Sequence, residues 1–251
     1  MAQTAATIDE LSGGRLTLGL GVSHRLLVEG WHGQSIDHRV AEIREYVTIV
    51  RAILRGEAPP AGEKWRTGFR LAGLDPRPDL PIFIAALSPA MLGLAGEIGD
   101  GVMVWLCNPS YIRDVVVPAV RARREHAGHT MEVFEIVAAV PGALTDDLAG
   151  AYEAIRGELP TYFSLPFYRT MLENSGYGAD IAAFDAAQGD AAAMRQAISD
   201  DFLDALTAVG DEPAVRSGVE RYRDAGATVP CVGPISRTDF DATLRARVPG
   251  R

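Results

Sequence analysis

Two spacings of apolar residues take turns along this chain. Compact apolar runs at 15–21, 81–86, 102–106, 132–140 and 229–235 read as five strands. The run at 81–86 (Pro-Ile-Phe-Ile-Ala-Ala) is unbroken, which suits a parallel strand covered on both faces. Between these runs the apolar positions fall three and four apart. The clearest case is 37–55, where Val40, Ile43, Val47, Val50 and Leu54 form one stripe, Asp37 stands where a cap is needed and Gly56 stops the helix. Residues 5–12 read as a helix end closed by Gly13-Gly14, where positive φ is available. A helix over about 89–98 has Ser88 as N-cap and Pro89 in its first position. Further helices are expected over about 109–126 and from about 238. Residues 57–80 hold Pro59-Pro60, Gly62, Gly68, Gly73 and Pro76, and read as a long connection with room for a small hairpin.

Strand followed by helix, repeated, is the pattern of parallel βαβ units and an α/β fold. The stretch 146–226 is mostly helical, with an Ala-rich part at 181–197 bounded and broken by Gly176, Gly178 and Gly189. That is more helix than one βα unit needs, so about 155–205 reads as an insertion within one domain spanning 1–251. A closed barrel of parallel βα units needs eight strands, and five are counted here.

Composition narrows the classes of function. A 47% hydrophobic share among 251 residues supplies a sizeable core, and a 23% charged share is ordinary for a globular chain. The net charge is −9, and the densest basic run, Arg121, Arg123 and Arg124, reads as a solvated helix face. Nothing resembles a phosphate-backbone footprint, so nucleic acid is not an expected partner. The two cysteines, Cys107 and Cys231, form neither a disulfide framework nor a metal motif. The N-terminus has no signal-peptide pattern and the apolar runs are too short to span a bilayer, so the expectation is a cytoplasmic protein without membrane contact.

Two segments invite chemistry. Gly19-Leu-Gly21-Val-Ser-His24 suggests a dinucleotide loop, but His24 stands where the third glycine belongs and no helix is expected directly afterwards. The remaining readings are a sharp turn at a strand end, or a backbone that a flat ring can approach closely. Leu87-Ser88-Pro89-Ala90-Met91 joins a buried strand to a helix N-terminus, where free N–H groups and the helix dipole favour a phosphate; the bland reading is a plain capped helix. His24, His32 and His38 match no metal spacing and read as surface or supporting histidines. No Gly-x-Ser-x-Gly elbow, Walker loop, cysteine nucleophile motif or carboxylate pair stands out. That silence fits an enzyme whose cofactor does the hard chemistry, and it fits a non-catalytic protein equally.

Several stretches together resemble the luciferase-like monooxygenase superfamily, in particular its coenzyme F420-dependent oxidoreductases. They are Leu11-Ser-Gly-Gly-Arg15 running into Leu16-Thr-Leu-Gly-Leu-Gly-Val-Ser-His24, then Val28-Glu-Gly-Trp-His-Gly33, Arg39-Val-Ala-Glu-Ile-Arg-Glu-Tyr46, and Ile82-Phe-Ile-Ala-Ala-Leu-Ser-Pro-Ala-Met-Leu92 with Asp100-Gly101. The resemblance implies a (β/α)8 TIM barrel holding reduced F420, or alternatively FMN, at the carboxyl ends of its strands. Gly21, Val22 and His24 would line the ring or its tail, and Leu87, Ser88 and Met91 would hold the phosphate end. The chemistry implied is hydride transfer from F420, or oxygen activation by FMN, on a small organic substrate. This chain corresponds to the family's strands 4 to 8 and lacks the N-terminal ones, as a misplaced start or a truncated product would, so an incomplete barrel is expected. Its exposed apolar strand edges make a homodimer the expected partner state. Two rivals are a catalytically silent barrel acting as an assembly partner, and a phosphate-binding aldolase or isomerase. The second is disfavoured by the scarcity of lysines, Lys64 falling in a connection.

Overall fold

The structure, a computed structural model, describes residues 1–235 and Thr243. The closing helix expected from about 238 thus falls outside the described residues, Thr243 apart. Elements follow in the order α1 (Ala2–Ser12), β1 (Leu18–Leu20), α2 (Arg25–His32), α3 (Arg39–Leu54), β2 (Ile82–Ala85), α4 (Pro89–Ile98), β3 (Gly101–Trp105), α5 (Pro109–Tyr111), a π-helical segment (Ile112–Val116) and α6 (Val117–His126). Then come β4 (Glu135–Leu144), α7 (Leu148–Glu158), α8 (Pro160–Phe163), α9 (Pro166–Asn174), α10 (Gly178–Ala186), α11 (Ala191–Gln196), α12 (Asp200–Leu206), β5 (Ala208–Gly210), α13 (Glu212–Asp224) and β6 (Val229–Pro234). The chain forms two compact units. One comprises Met1–Ala86, Ala90–Met103 and Val120–Phe134; the other comprises Leu87–Pro89, Val104–Ala119 and everything from Glu135 onward.

In the first unit β1, β2 and β3 pair in parallel, with Leu18 opposite Ile82, Leu20 opposite Ile84, and Ile84 in turn opposite Val102. One face of these strands (Leu20, Ile82, Ile84, Val102) is buried together with the stripe Ile43, Val47, Val50 and Leu54 of α3 and with Leu92 and Ala95 of α4. Gly13, at φ 68, ends α1 in the left-handed conformation expected of it. Arg77 forks onto the buried Asp9 (2.9 and 3.1 Å) and also donates to the Leu16 carbonyl, while Asp9 accepts the Leu16 N–H at 3.0 Å. This cluster fixes where the chain enters β1.

Four expectations change here. Asp37 does not cap α3; instead Glu42, inside the first turn, accepts the N–H groups of Asp37 and His38. No hairpin forms within 57–80, because the Glu45 carboxylate takes the amides of Glu63, Lys64 and Trp65 that a strand partner would otherwise receive. A helix, α2, does begin directly after His24. Arg124 is no solvated side chain: it is 7% exposed, donates to the carbonyls of Thr130, Gly99 and Gly96, and lies over the Phe134 ring.

In the second unit β4 pairs in parallel with β6 along Val137–Gly142 and with β5 at Gly142–Leu144. β5 is a sixth strand, too short for its apolar pattern to show in the sequence. α13 packs on β4, β5 and β6, and its start is capped by Asp211, whose carboxylate accepts the Ala214 N–H. Six helices, α7 to α12, intervene between β4 and β5. Phe163, Phe184 and Phe202 cluster among them at ring distances of 5.4 and 5.8 Å, all nearly inaccessible. Burying each such ring stabilises by about 2–3 kcal/mol, which gives this helical stretch an apolar core of its own. No helix among the described residues is long and apolar enough to cross a membrane.

Candidate functional site at the strand carboxyl ends

Because β1, β2 and β3 run parallel in register, they finish at the same end. Gly21 follows the last pair of β1 and β2 and lies directly beside Ala85; a Cβ on Gly21 would stand 2.8 Å from the Ala85 Cβ. The Ala86 N–H donates to the Met103 carbonyl at 3.1 Å, so β3 ends alongside as well. Exposed side chains are small or absent where β1 and β2 stop, whereas β3 ends on exposed Met103 and Trp105. Gly19, Gly21, Ala85 and Met103 are all exposed, whereas Leu20, Ile84 and Val102 are buried. The turns after residues 20 and 86 therefore leave from one rim.

Beyond Gly21, Val22 is half-buried and Ser23 adopts φ 57, an uncommon value for a residue with a side chain. This sharp turn is what allows α2 to start at once. His24 is half-buried; burial chiefly, and the Arg39 charge secondly, lower its pKa and favour the neutral imidazole. His32 and His38 are exposed, and no group of His, Cys, Asp or Glu among the described residues could hold a metal ion.

On the other turn, Leu87 and Ser88 are half-buried and α4 starts at Pro89 as expected. Met91, in the first turn of the helix, is buried, at 6% exposed. The second unit, which includes Leu87–Pro89, also holds a group of residues on and after β3. Tyr111 donates from its hydroxyl to the Leu87 carbonyl at 3.0 Å. Asn108 caps α5 through Oδ1, and its buried Nδ2 has no partner among the described residues. Trp105, 40% exposed, neighbours Tyr162 at 6.4 Å, and Tyr162 meets Tyr168 edge-on at 5.0 Å. Cys107 is buried, which pushes its thiol pKa far up, so it cannot serve as a thiolate. The Asn108-Pro109 pair at the start of the 109–126 helix was the one visible hint of this cluster.

Parallel strands alternating with helices, and a rim where three strands end together, define an α/β protein of barrel type, and the strand carboxyl ends are its candidate site. The chain belongs to the luciferase-like monooxygenase family, whose model matches residues 1–229. It is 33% identical over 260 residues to a Mycobacterium tuberculosis protein named as a coenzyme F420-dependent oxidoreductase, covering 91% of this chain and 72% of that one. In structure it is similar to the coenzyme F420-dependent tetrahydromethanopterin reductase of Methanopyrus kandleri (TM-score 0.74, 24% identity, 96% of this chain and 75% of that one). It is similar also to an F420-dependent secondary alcohol dehydrogenase in complex with an F420–acetone adduct (TM-score 0.72, 21% identity, 99% and 74%). The fold is thus the (β/α)8 TIM-barrel type, with six parallel strands among the described residues.

Proposed function

We propose that this chain is an oxidoreductase scaffold for reduced coenzyme F420, with FMN as the alternative, acting on a small organic substrate. The observation that supports the reading most is the bare rim where Gly21 and Ala85 lie side by side. A flat ring can approach a backbone only where no side chain stands in the way, and Gly19 and Gly21 are exposed and carry none. Val22 and His24 would flank the ring, the imidazole presenting a neutral nitrogen rather than a second charge. Ser88 and the first N–H groups of α4, which include that of Met91, would receive an anionic tail as helix N-termini do, with Leu87 shielding it from water. When bound, the coenzyme supplies a hydride, or in the flavin case the means of activating oxygen.

Titration of the purified chain with reduced and oxidised F420 and with FMN, followed by cofactor absorbance and fluorescence, tests this. Saturable binding of at least one is expected, and it should weaken when Gly21 carries a larger side chain. Absence of saturable binding of both overturns the reading. The same proposal includes association of two copies, since β1 pairs only with β2 among the described residues and leaves an unpaired edge. Sedimentation equilibrium should give a dimer mass, and a monomer at all concentrations would remove that part.

A further inference from the structure

The backbone of the Leu87-Ser88 turn is oriented by a buried side chain far away in sequence. Tyr111 is 3% exposed, and its hydroxyl donates to the Leu87 carbonyl at 3.0 Å. Its own place is tightly determined. Asn108 Oδ1 accepts both the Tyr111 N–H (2.9 Å) and the Ser110 hydroxyl (2.8 Å). Leu106, at φ 57, turns the chain sharply out of β3 just before, a backbone state that β-carbon-bearing residues rarely adopt. Immediately after Tyr111 the helix widens into the π segment Ile112–Val116, an irregularity that in other proteins tends to mark functional sites. Burial, chiefly, pushes the phenol pKa up to about 12, so Tyr111 is a protonated donor throughout the physiological range.

We propose that Tyr111 is a positioning residue for the anion-receiving turn, an inference that rests on the cofactor reading above. The Leu87 carbonyl and the Ser88 N–H belong to one planar trans peptide and point in opposite directions. Holding the carbonyl on Tyr111 fixes that plane and keeps the negative end of the peptide dipole off the side where a phosphate would sit. Without the hydroxyl the carbonyl has no such anchor, and the peptide is free to rotate its oxygen toward the anion. Tyr111 itself touches no ligand; it acts through Leu87.

The test compares ligands that differ only in the anionic tail: FMN against riboflavin, and F420 against its deazaflavin chromophore without the phosphate-bearing tail. In Tyr111→Phe, FMN or F420 should bind about three- to tenfold more weakly, the range one hydrogen bond spans, while the tail-less partner keeps its affinity. The tail-less ligand also reports that the variant is folded. Tyr222→Phe removes another buried hydroxyl, the one donating to the Leu206 carbonyl, and should leave both affinities unchanged. Equal weakening of both ligands in Tyr111→Phe, or weakening of neither, overturns the positioning role. If the unmodified chain binds FMN no better than riboflavin and F420 no better than its chromophore, the phosphate placement is wrong and the role falls with it. If it binds none of them, the cofactor reading is what has failed.

Discussion

Adding one methyl group at Gly21 tests the geometry on which the site depends. The φ of Gly21 lies outside the left-handed region, so its backbone accepts alanine without strain. In a compatible position Gly→Ala stabilises by about 0.4–1 kcal/mol, because the unfolded chain loses freedom. At Gly21 the new Cβ would stand 2.8 Å from the Cβ of Ala85. Neither atom can rotate away, so two strand ends must separate, at a cost of about 1–3 kcal/mol. The net expectation for Gly21→Ala is a loss of about 1–2 kcal/mol, or a fall in Tm of about 2–8 °C for a chain of this size. Gly19 is the matched control: its Cβ would meet only the end of the Met103 side chain, Sδ at 2.7 Å and Cε at 3.7 Å, and that flexible chain end can swing aside. Gly19→Ala should therefore stay within about 0.5 kcal/mol of the parent. Removing the opposing methyl in Gly21→Ala/Ala85→Gly should restore much of the loss, giving a coupling of about 1 kcal/mol in a double-mutant cycle. Thermal and urea unfolding followed by circular dichroism read these three variants and the single Ala85→Gly that completes the cycle. Equal costs at positions 19 and 21, or additive effects of 21 and 85, would show that the two strand ends are not neighbours, and the site would lose its basis.

Two further outcomes follow from buried charge. Arg124→Met should cost about 2–4 kcal/mol, because it leaves the carbonyls of Thr130, Gly99 and Gly96 without their donor; Arg123→Met, on the exposed side of α6, should change stability by less than about 0.5 kcal/mol. Comparable losses in the two variants would refute the brace assigned to Arg124. Acid should destabilise the chain in two separable steps. His24 has a lowered folded-state pKa, so its contribution is complete above the unfolded value of about 6.5 and is lost as pH falls below it. Asp9, lowered mainly by its hydrogen bond from Arg77, contributes above the unfolded carboxylate value and loses that contribution at still lower pH. Urea midpoints measured against pH should lose the first step in His24→Gln and the second in Asp9→Asn, and unchanged profiles would contradict both assignments.

The elements that were legible in the sequence are those whose signal is local. The stripe from Val40 to Leu54 gave α3, the run at 81–86 gave β2, and Gly13 gave the end of α1. What escaped reading depends on partners distant in the chain. Arg124 sits in a basic run that looks solvated, and only the carbonyls at 96, 99 and 130 make it a buried brace. Tyr111 reaches back to Leu87, and Glu45 forward to residues 63–65; no periodicity records such contacts. α2 escaped for the opposite reason. None of its residues is buried, so it forms without the core stripe by which helices are recognised.

The unbroken apolar run at 81–86 implied a strand covered on both faces, and the way that expectation fails coincides with the proposed site. Ile82, Phe83 and Ile84 are buried, as a doubly covered parallel strand requires, but Ala85 is open. β3 behaves alike: Gly101 and Val102 are buried, and exposure begins at Met103 and returns at Trp105, two positions on one face by the two-residue period of a strand. β1 shows it in miniature, with Leu20 buried between exposed Gly19 and Gly21. Exposure thus concentrates toward the carboxyl ends of β2 and β3 and reaches Gly21 just past β1, although nothing in the composition of these strands distinguishes those ends from the rest. An apolar surface left open at the one end where parallel strands release their loops is costly to a stable fold, and it is the place where proteins of this architecture bind their ligands.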